Sequence, residues 1–276
     1  MKASDLPIDY NMCEILEHNL EHRSDKTALL SEHGTMTFRE ISNQVNQIGN
    51  ALTRLGVRFG ECVAILCPDR PEWVTTFFAT AKIGGVVLGM NTLLTTEEYD
   101  YILKDARVRV LVIHDSLLEL VEPILRNHNI LSKVIVIGAD EGANYTTFND
   151  WIDSEDNKLE FERTHRDDFC SLHYSSGTTG MPKGVMHSHK DYPLIAQLSG
   201  VNLFGLKEND RTFSVAKLFF VYGIGGNLIF PWYVGASCVL NSGPPRQAAA
   251  VLKTICLLYT SDAADDTPCV DLGGRR

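Results

Sequence analysis

Residues 62–90 read CVAILCPDRPEWVTTFFATAKIGGVVLGM, two apolar runs separated by a helical pattern. The first run, Cys62–Cys67, is continuous and is typical of a strand that is buried on both faces. Pro71 suits the first turn of a helix, and apolar residues follow it at helical spacing. The second run, Gly84–Met90, indicates another strand. A strand, a helix and a strand in this order predict a βαβ unit of a parallel sheet.

The same alternation continues on both sides of this unit. Upstream, Thr37-Phe38-Arg39-Glu40 has the spacing of a capping box, and apolar residues recur on one helical face until Gly56. Downstream, the patterns predict a helix from Thr95 or Thr96 to Leu103, a strand at Val108–Ile113, a helix at Ser116–Leu125 and a strand at Val134–Ile137. Together they predict an α/β fold of mostly parallel sheets flanked by helices, with right-handed crossovers.

Residues 140–168 interrupt this pattern with a polar, acidic segment that contains few apolar anchors. We interpret the segment as a surface connector with one helical turn near Trp151. Strands follow at Phe169–Tyr174, near Arg211–Ala216 and at Ala236–Leu240. The sequence therefore predicts a first α/β subdomain with its acidic connector over residues 1–168 and the start of a second α/β subdomain over residues 169–255.

The composition argues against several classes of protein. Of the 276 residues, 44% are hydrophobic and 22% are charged, which is typical of a globular chain. The net charge of −10 argues against a nucleic-acid binder. No apolar stretch approaches the ~18 residues of a membrane span, and the first residues do not resemble a signal peptide. We predict a cytoplasmic protein, and the spacing of its seven cysteines does not indicate a metal site.

Tyr174–Gly184 reads YSSGTTGMPKG and follows a short apolar strand. Glycines let the backbone approach an anion closely, successive N–H groups can surround it, and hydroxyl groups and a lysine add donors. The segment therefore suits a polyphosphate, although a flexible surface loop is the alternative. It is neither a Walker A motif nor a Rossmann fingerprint. The candidate phosphate-binding residues are Ser175, Ser176, Gly177, Thr178, Thr179, Gly180, Lys183 and Gly184.

This segment closely resembles the phosphate-binding signature of the adenylate-forming superfamily, which includes the acyl-CoA synthetases. The resemblance runs from about Asn11 to Ile255 and includes the Thr37–Glu40 capping box and the start of the helix at Pro71. It implies that ATP and a small carboxylic acid give an acyl-adenylate and pyrophosphate, after which coenzyme A displaces AMP. The implied cofactors are ATP, Mg²⁺ and coenzyme A.

Residues 217–227 read KLFFVYGIGGN and resemble the benzoate–CoA ligase group, in which a similar aromatic segment borders the acyl pocket. The candidate acyl-pocket residues are Phe219, Phe220, Tyr222 and Gly223. Together with Trp232, the three aromatic side chains suit a flat, apolar acid, and Tyr222 also offers a polar hydroxyl. The alternative is that these aromatic side chains only fill the core.

The resemblance covers about the first half of the family's chain. It implies that the magnesium-associated glutamate, the ribose-binding aspartate and the small domain with the adenylation lysine lie beyond this sequence. No catalytic residue is therefore assigned, and we expect the 276-residue chain itself to be inactive. Residues 256–276 read CLLYTSDAADDTPCVDLGGRR and resemble translated adapter read-through, so we predict a non-native tail. A divergent natural tail is the alternative.

Two other functions stay open on the sequence. One is an adenylating enzyme for a fatty acid or another acid, because the phosphate signature is shared across the superfamily. The other is a non-catalytic nucleotide-binding or scaffold protein. The expected partner is a small carboxylic acid, with no nucleic acid and no membrane span, and the sequence does not indicate an oligomeric state.

Overall fold

The computed structural model describes residues 2–139, 145–175, 180–243 and 248–256. The strands are β1 Thr27–Ser31, β2 Gly34–Thr37, β3 Cys62–Leu66, β4 Val86–Gly89, β5 Val110–His114, β6 Lys133–Ile137, β7 Thr146–Thr147, β8 Phe169–Ser175, β9 Lys183–Ser188, β10 Arg211–Phe213 and β11 Ser237–Val239. The α-helices are α1 Glu14–Glu17, α2 Leu20–Arg23, α3 Phe38–Arg54, α4 Pro71–Lys82, α5 Thr96–Asp105, α6 Asp115–Leu125, α7 Phe148–Ile152, α8 Asp191–Ile195, α9 Val221–Ile224, α10 Phe230–Tyr233 and α11 Ala248–Thr254. A 3₁₀ turn spans Ala3–Asp5, and π-helical segments span Ala196–Leu203 and Gly225–Ile229.

Capping residues fix where the long helices begin. The Thr37 hydroxyl accepts a hydrogen bond from the Glu40 backbone N–H, and the Glu40 carboxylate accepts one from the Thr37 N–H at 2.7 Å. This reciprocal pair confirms the predicted capping box of α3. A second capping box joins Thr95 to Glu98 at the start of α5, so Thr95 rather than Thr96 is the cap.

The larger sheet has seven strands in the order β7-β6-β5-β3-β4-β8-β9. All neighbours are parallel except β8 and β9, which pair antiparallel. The central strand β3 is buried along its whole length, as its continuous apolar run predicts. The prediction of mostly parallel sheets flanked by helices is therefore confirmed.

Helices cover this sheet on both faces. Val63 and Ile65 of β3 belong to the same core as Phe77 and Phe78 of α4, with α3 packed behind that helix. The alternate residue Ala64 lies in a second core, together with α5 and α6. The connections after β3 and β4 therefore leave on opposite faces, which creates a crevice outside the carboxyl ends of these two neighbouring strands.

The smaller sheet has the order β10-β11-β1-β2, with β11 parallel to β1 and β1 antiparallel to β2. Both sheets contain strands from before and after residue 168, because β8 pairs with β4 and β11 pairs with β1. The division into subdomains at residue 168 stays a prediction. Of the predicted tail, only Cys256 belongs to the described residues.

Among the described residues, no helix is both long enough and apolar enough to cross a membrane.

Candidate active site

The candidate phosphate-binding segment connects the two strands of a hairpin. β8 ends at Ser175, and the chain returns antiparallel to it as β9, which begins at Lys183. The register places Ser175 opposite Lys183, and both residues are exposed. The structure thus places Lys183 on a strand rather than in a loop. Ser176, Gly177, Thr178 and Thr179 lie outside the described residues.

The two described glycines of this segment have different surroundings. A Cβ atom at Gly184 would lie 2.9 Å from Leu172 Cδ1 and 3.3 Å from the Tyr174 ring, so this glycine allows the hairpin to pack closely. A Cβ atom at Gly180 would meet nothing within 4 Å, and Gly180 is exposed. Gly184 therefore has a packing role beside the phosphate-binding role that the sequence predicts.

A cavity of about 290 Å³ lies at the carboxyl ends of β4 and β8, beside the hairpin. Ser175 and Pro182 contribute to one wall, and Phe219, Phe220 and Val221 contribute to another. The remaining lining residues are Leu88, Gly89, Met90, Asn91, Leu94, Ile102, His173, Tyr174 and Val185. The wall is mostly apolar, and its position agrees with the rule that open α/β sheets bind ligands outside the carboxyl ends of their strands.

The structure brings the hairpin and part of the predicted acyl pocket together. Phe219 is 6% exposed and Phe220 is 47% exposed, and their ring centroids lie 4.6 Å apart at the cavity wall. Tyr222 lies farther along the chain on α9, is 77% exposed, and does not line this cavity. Two of the three aromatic side chains predicted for the acyl pocket thus share a cavity with Ser175.

Gly223 and Trp232 have other surroundings. A Cβ atom at Gly223 would lie 2.1 Å from the Lys217 carbonyl oxygen, so only glycine permits this backbone approach. Trp232 is fully buried, stacks on Phe78 at a centroid distance of 5.2 Å and donates its indole N–H to the Ala28 carbonyl. The proposal that Trp232 faces the acid is therefore wrong, and the alternative of core packing holds for this residue.

Sequence reasoning missed a buried pair of charged residues beneath the aromatic segment. Lys217 Nζ lies 4.0 Å from Asp69 Oδ2 and donates to the Asn241 carbonyl at 2.5 Å. The other oxygen of Asp69 accepts the Leu218 N–H at 2.9 Å. Burial raises the pKa of Asp69, opposed by Lys217, and burial lowers the pKa of Lys217, opposed by Asp69. The only available signal was a lysine placed directly before an apolar run.

A buried polar cluster joins β8 to α8 close to the cavity. The Ser171 and Tyr192 hydroxyls share a hydrogen bond of 2.5 Å, and His173 Nε2 lies 3.2 Å from Ser171 Oγ. Burial, reinforced by the neighbouring His187, lowers the pKa of His173 to about 3. His173 is therefore neutral at neutral pH, and this part of the cavity wall carries no charge from it.

Within the described ranges, no group of three or more His, Cys, Asp or Glu side chains is arranged to hold a metal ion. The described side chains thus do not form a protein-built site for the Mg²⁺ that the family resemblance implies. Mg²⁺ is normally held by one or two carboxylates together with the phosphates of a substrate. We therefore assign no magnesium ligand among the described residues.

The geometry defines a doubly wound α/β protein with a candidate anion-binding hairpin beside an apolar cavity. A family model described as AMP-binding enzyme matches residues 16–258. The chain belongs to the AMP-binding enzyme family, which confirms the resemblance noted in the sequence.

Among curated proteins, this chain is similar to ligases that are named for aromatic acids. The chain is 38% identical to benzoate–CoA ligase from Thauera aromatica over 250 residues, which is 90% of this chain and 47% of that protein. It is 34% identical to the 3-hydroxybenzoate–CoA/4-hydroxybenzoate–CoA ligase of the same organism over 83% of this chain and 44% of that protein. The chain thus spans about half the length of the curated relatives it matches.

Solved structures agree with this comparison. The anthranilate CoA ligase AuaEII in complex with anthranoyl-AMP superposes with a TM-score of 0.91 at 58% identity, over 92% of this chain and 49% of that chain. A benzoate CoA ligase from Burkholderia xenovorans LB400 superposes with a TM-score of 0.81 at 30% identity, over 89% of this chain and 48% of that chain. Both share the fold described above.

Proposed function

We propose that this chain is the N-terminal part of a ligase that uses ATP to join a benzoate-like aromatic acid to coenzyme A. One observation carries the proposal: Ser175 of the candidate phosphate hairpin and Phe219 and Phe220 of the aromatic segment line the same cavity. An apolar ring in this cavity would place its carboxylate within reach of a nucleotide bound at the hairpin.

The proposed reaction has two steps. A carboxylate oxygen of the acid attacks the α-phosphorus of ATP, the bond to the β-phosphate oxygen breaks, and pyrophosphate leaves with the electron pair. The sulfur of coenzyme A then attacks the carbonyl carbon of the acyl-adenylate, and AMP leaves as the thioester forms and the thiol proton passes to solvent. When bound to the phosphates, Mg²⁺ would neutralise part of their charge.

The hairpin residues act in the first step of this proposal. Ser175 and Lys183 lie opposite each other, so the hydroxyl group and the ammonium group can both donate to the same phosphate. These donors would stabilise the charge that collects on the departing pyrophosphate. The predicted contacts from Ser176, Gly177, Thr178 and Thr179 belong to the same proposal and lie outside the described residues.

Two observations support an aromatic acid over a fatty acid. The cavity wall contains the flat side chains of Phe219 and Phe220, which can contact a ring face-on or edge-on. In addition, identity to a long-chain-fatty-acid–CoA ligase of Bacillus subtilis is 27%, below the values for the benzoate, hydroxybenzoate and anthranilate ligases. We therefore propose benzoate or an amino- or hydroxy-substituted benzoate as the substrate.

The decisive experiment compares the 276-residue chain with a fusion protein. In the fusion, residues 1–255 continue into the half of the anthranilate CoA ligase that extends beyond the matched region. Each protein receives ATP, Mg²⁺, coenzyme A and benzoate, anthranilate or hexanoate. We expect the fusion to form benzoyl-CoA or anthraniloyl-CoA faster than hexanoyl-CoA, and the 276-residue chain to form none.

The other outcomes separate the alternatives. A fusion that prefers hexanoate would support an adenylating enzyme for aliphatic acids instead. A correctly folded fusion that binds ATP but forms no acyl-adenylate with any acid would support a non-catalytic nucleotide-binding protein. Thioester formation by the 276-residue chain alone would contradict the proposed inactivity.

A further inference from the structure

The carboxyl ends of β3 and β4 form the crevice in which doubly wound sheets usually bind ligands. In this protein, the aromatic segment itself occupies part of that crevice. Asp69, which follows β3, bonds to the Leu218 N–H, and a Cβ atom at Gly89, the last residue of β4, would lie 3.5 Å from Phe219 Cα. The segment therefore lies directly over the ends of the two central strands.

We propose that Asp69 and Lys217 are positioning residues that hold the aromatic segment, residues 217–223, in the shape that selects an aromatic acid. This inference rests on the proposed function, because the segment forms a wall of the proposed acid site. Neither side chain needs to touch the acid, since both act through the backbone and side chains that follow Lys217.

The contacts tie the segment to two different parts of the fold. Asp69 is 2% exposed. One of its carboxylate oxygens accepts a hydrogen bond from the Leu218 N–H, and the other faces Lys217 Nζ. Lys217 is 7% exposed and donates to the carbonyl of Asn241, just after β11. The pair thus links the crevice of the seven-stranded sheet, through the segment, to the end of the four-stranded sheet.

The backbone of Lys217 connects the buried pair to the aromatic side chains that follow it. Its carbonyl oxygen accepts the Phe220 N–H at 3.0 Å, which closes the turn before α9. The same carbonyl lies so close to Gly223 that a Cβ atom there would be 2.1 Å away. A shift of Lys217 must therefore move Phe219, Phe220 and the first turn of α9 together.

Such a shift would change two cavities at once. Phe219 and Phe220 line the cavity of about 290 Å³ beside the hairpin. They also line a second, mostly apolar cavity of about 360 Å³ on the side of Pro68 and Lys217. Because the two side chains separate these spaces, their position determines how the volume is divided between them.

Stability alone is a weak reason for such a pair. Removing two charges from water costs free energy that their attraction often fails to recover, so an apolar pair of similar size is frequently as stable. The best-attested role of buried polar pairs is to specify one arrangement among several. A pair that bonds to the backbone of a cavity wall on one side and to a second sheet on the other fits that role.

The chain also contains a matched control. Lys82 Nζ pairs with Glu17 Oε1 at 2.9 Å, and Lys82 is as buried as Asp69. Neither residue lines the cavity beside the hairpin or the second cavity. Glu17 is partly buried, with 17% of its side chain exposed, so the substitution E17Q removes one charge of a largely buried pair without touching the aromatic segment.

The first measurement is hydrogen exchange of the 276-residue chain carrying D69N, K217M or E17Q. We expect D69N and K217M to raise the exchange rates of the Leu218 and Phe220 amides at least tenfold relative to those of β5. E17Q should leave this ratio unchanged. Equal acceleration in all three variants, or none in D69N and K217M, would overturn the proposal. If a single variant does not fold, D69N/K217M tests the same amides without an unpaired charge.

The second measurement uses the fusion with benzoate and hexanoate. D69N should raise KM for benzoate at least tenfold with little change in kcat, and it should lower the preference for benzoate over hexanoate. E17Q should change neither. An unchanged preference in D69N would overturn the positioning role. A parent fusion that activates no acid would instead refute the proposed function, while the exchange data would still decide whether the pair holds the segment.

Discussion

Ser175, the last residue of β8, and Lys183, the first residue of β9, lie directly opposite each other where the two strands pair within the candidate phosphate segment. Residues in this relationship project from the same face of a hairpin, with Cβ atoms about 5 Å apart. A hydroxyl and an ammonium group are thus presented side by side next to the cavity that Phe219 and Phe220 line. This arrangement leads to the first prediction.

Lys183→Ala in the fusion should slow adenylation more than thioester formation from preformed acyl-adenylate. The proposed contact stabilises pyrophosphate as it leaves, and only the first half-reaction produces pyrophosphate. Losing one such contact typically costs about 2–4 kcal/mol at the transition state. Pyrophosphate exchange and the release of AMP from acyl-adenylate measure the two steps separately.

Lys104→Ala is the matched control, because Lys104 is an exposed lysine whose ammonium group pairs with Asp100 on α5. It should leave both half-reactions unchanged. Equal losses in the two half-reactions of Lys183→Ala would show a damaged hairpin rather than a lost phosphate contact.

Gly223→Ala should destabilise the 276-residue chain, whereas Gly226→Ala should not. The new methyl group at position 223 would lie 2.1 Å from the Lys217 carbonyl oxygen, and no flexible side chain is available there to move aside. Overpacking of this kind costs about 1–3 kcal/mol or more. A methyl group at position 226 meets nothing within 4 Å, and alanine is the better helix former by about 1 kcal/mol.

Urea unfolding of both variants at neutral pH measures this difference. The two substitutions are chemically identical and three residues apart, so each controls for the other. A Gly223→Ala protein as stable as Gly226→Ala would show that the backbone at Lys217 can move freely, which would also weaken the proposed positioning role of that residue.

Local signals in the sequence predicted much of the fold. The Thr37–Glu40 capping box, Pro71 at the start of α4 and the apolar run of β3 each act over a few residues, and each lies where predicted. β9 was missed because four of its six residues are exposed, so neither alternation nor a continuous apolar run indicates a strand.

The relationship between Asp69 and Lys217 could not be predicted in this way. The two residues are far apart in the chain and meet only because the connections after β3 and before α9 reach the same crevice. The cavity is likewise formed by segments that are far apart in the chain, since its walls include residues of β4, β8 and the aromatic segment. The family resemblance proposed which residues surround the acid, but it did not show that Phe220 lines this cavity while Tyr222 does not.

The pH dependence of stability should reflect His173. Burial lowers the pKa of this histidine to about 3, whereas its ordinary value is 6.5. Below pH 6.5 the unfolded chain therefore binds a proton at this histidine that the folded chain does not, and the contribution of His173 to the free energy of unfolding falls as the pH drops toward 3. One such group contributes a slope of up to about 1.4 kcal/mol per pH unit.

His173→Gln should flatten this slope between pH 6.5 and pH 5, as measured by urea unfolding at each pH. His189, whose pKa burial lowers to about 4, remains in both proteins and adds the same slope to each. His22→Gln removes an exposed imidazole and serves as the control. An identical pH slope in His173→Gln and the parent would show that His173 is protonated within the fold.

Substituting Tyr222 tests whether its side chain packs in the fold or contacts the acid. Its side chain is 77% exposed, and it does not line the cavity of about 290 Å³. Tyr222→Ala should therefore change the stability of the 276-residue chain by no more than about 0.5 kcal/mol, as expected for a surface substitution. In the fusion, we expect the Tyr222 ring to contact an aromatic acid, as the sequence resemblance predicts.

A contact between two rings is worth about 0.5–1.5 kcal/mol beyond burial. Tyr222→Ala in the fusion should therefore lower kcat/KM for benzoate, roughly 2- to 12-fold on that scale, and lower kcat/KM for hexanoate less, because a short aliphatic acid leaves the ring site unfilled. The comparison needs kcat/KM for both acids in parent and variant, with Phe204→Ala as the control. Phe204 is another exposed ring, and it lines neither cavity that borders the aromatic segment. Equal losses for the two acids would assign Tyr222 to packing between the halves and leave Phe219 and Phe220 as the only candidate aromatic contacts to the acid in the described segment.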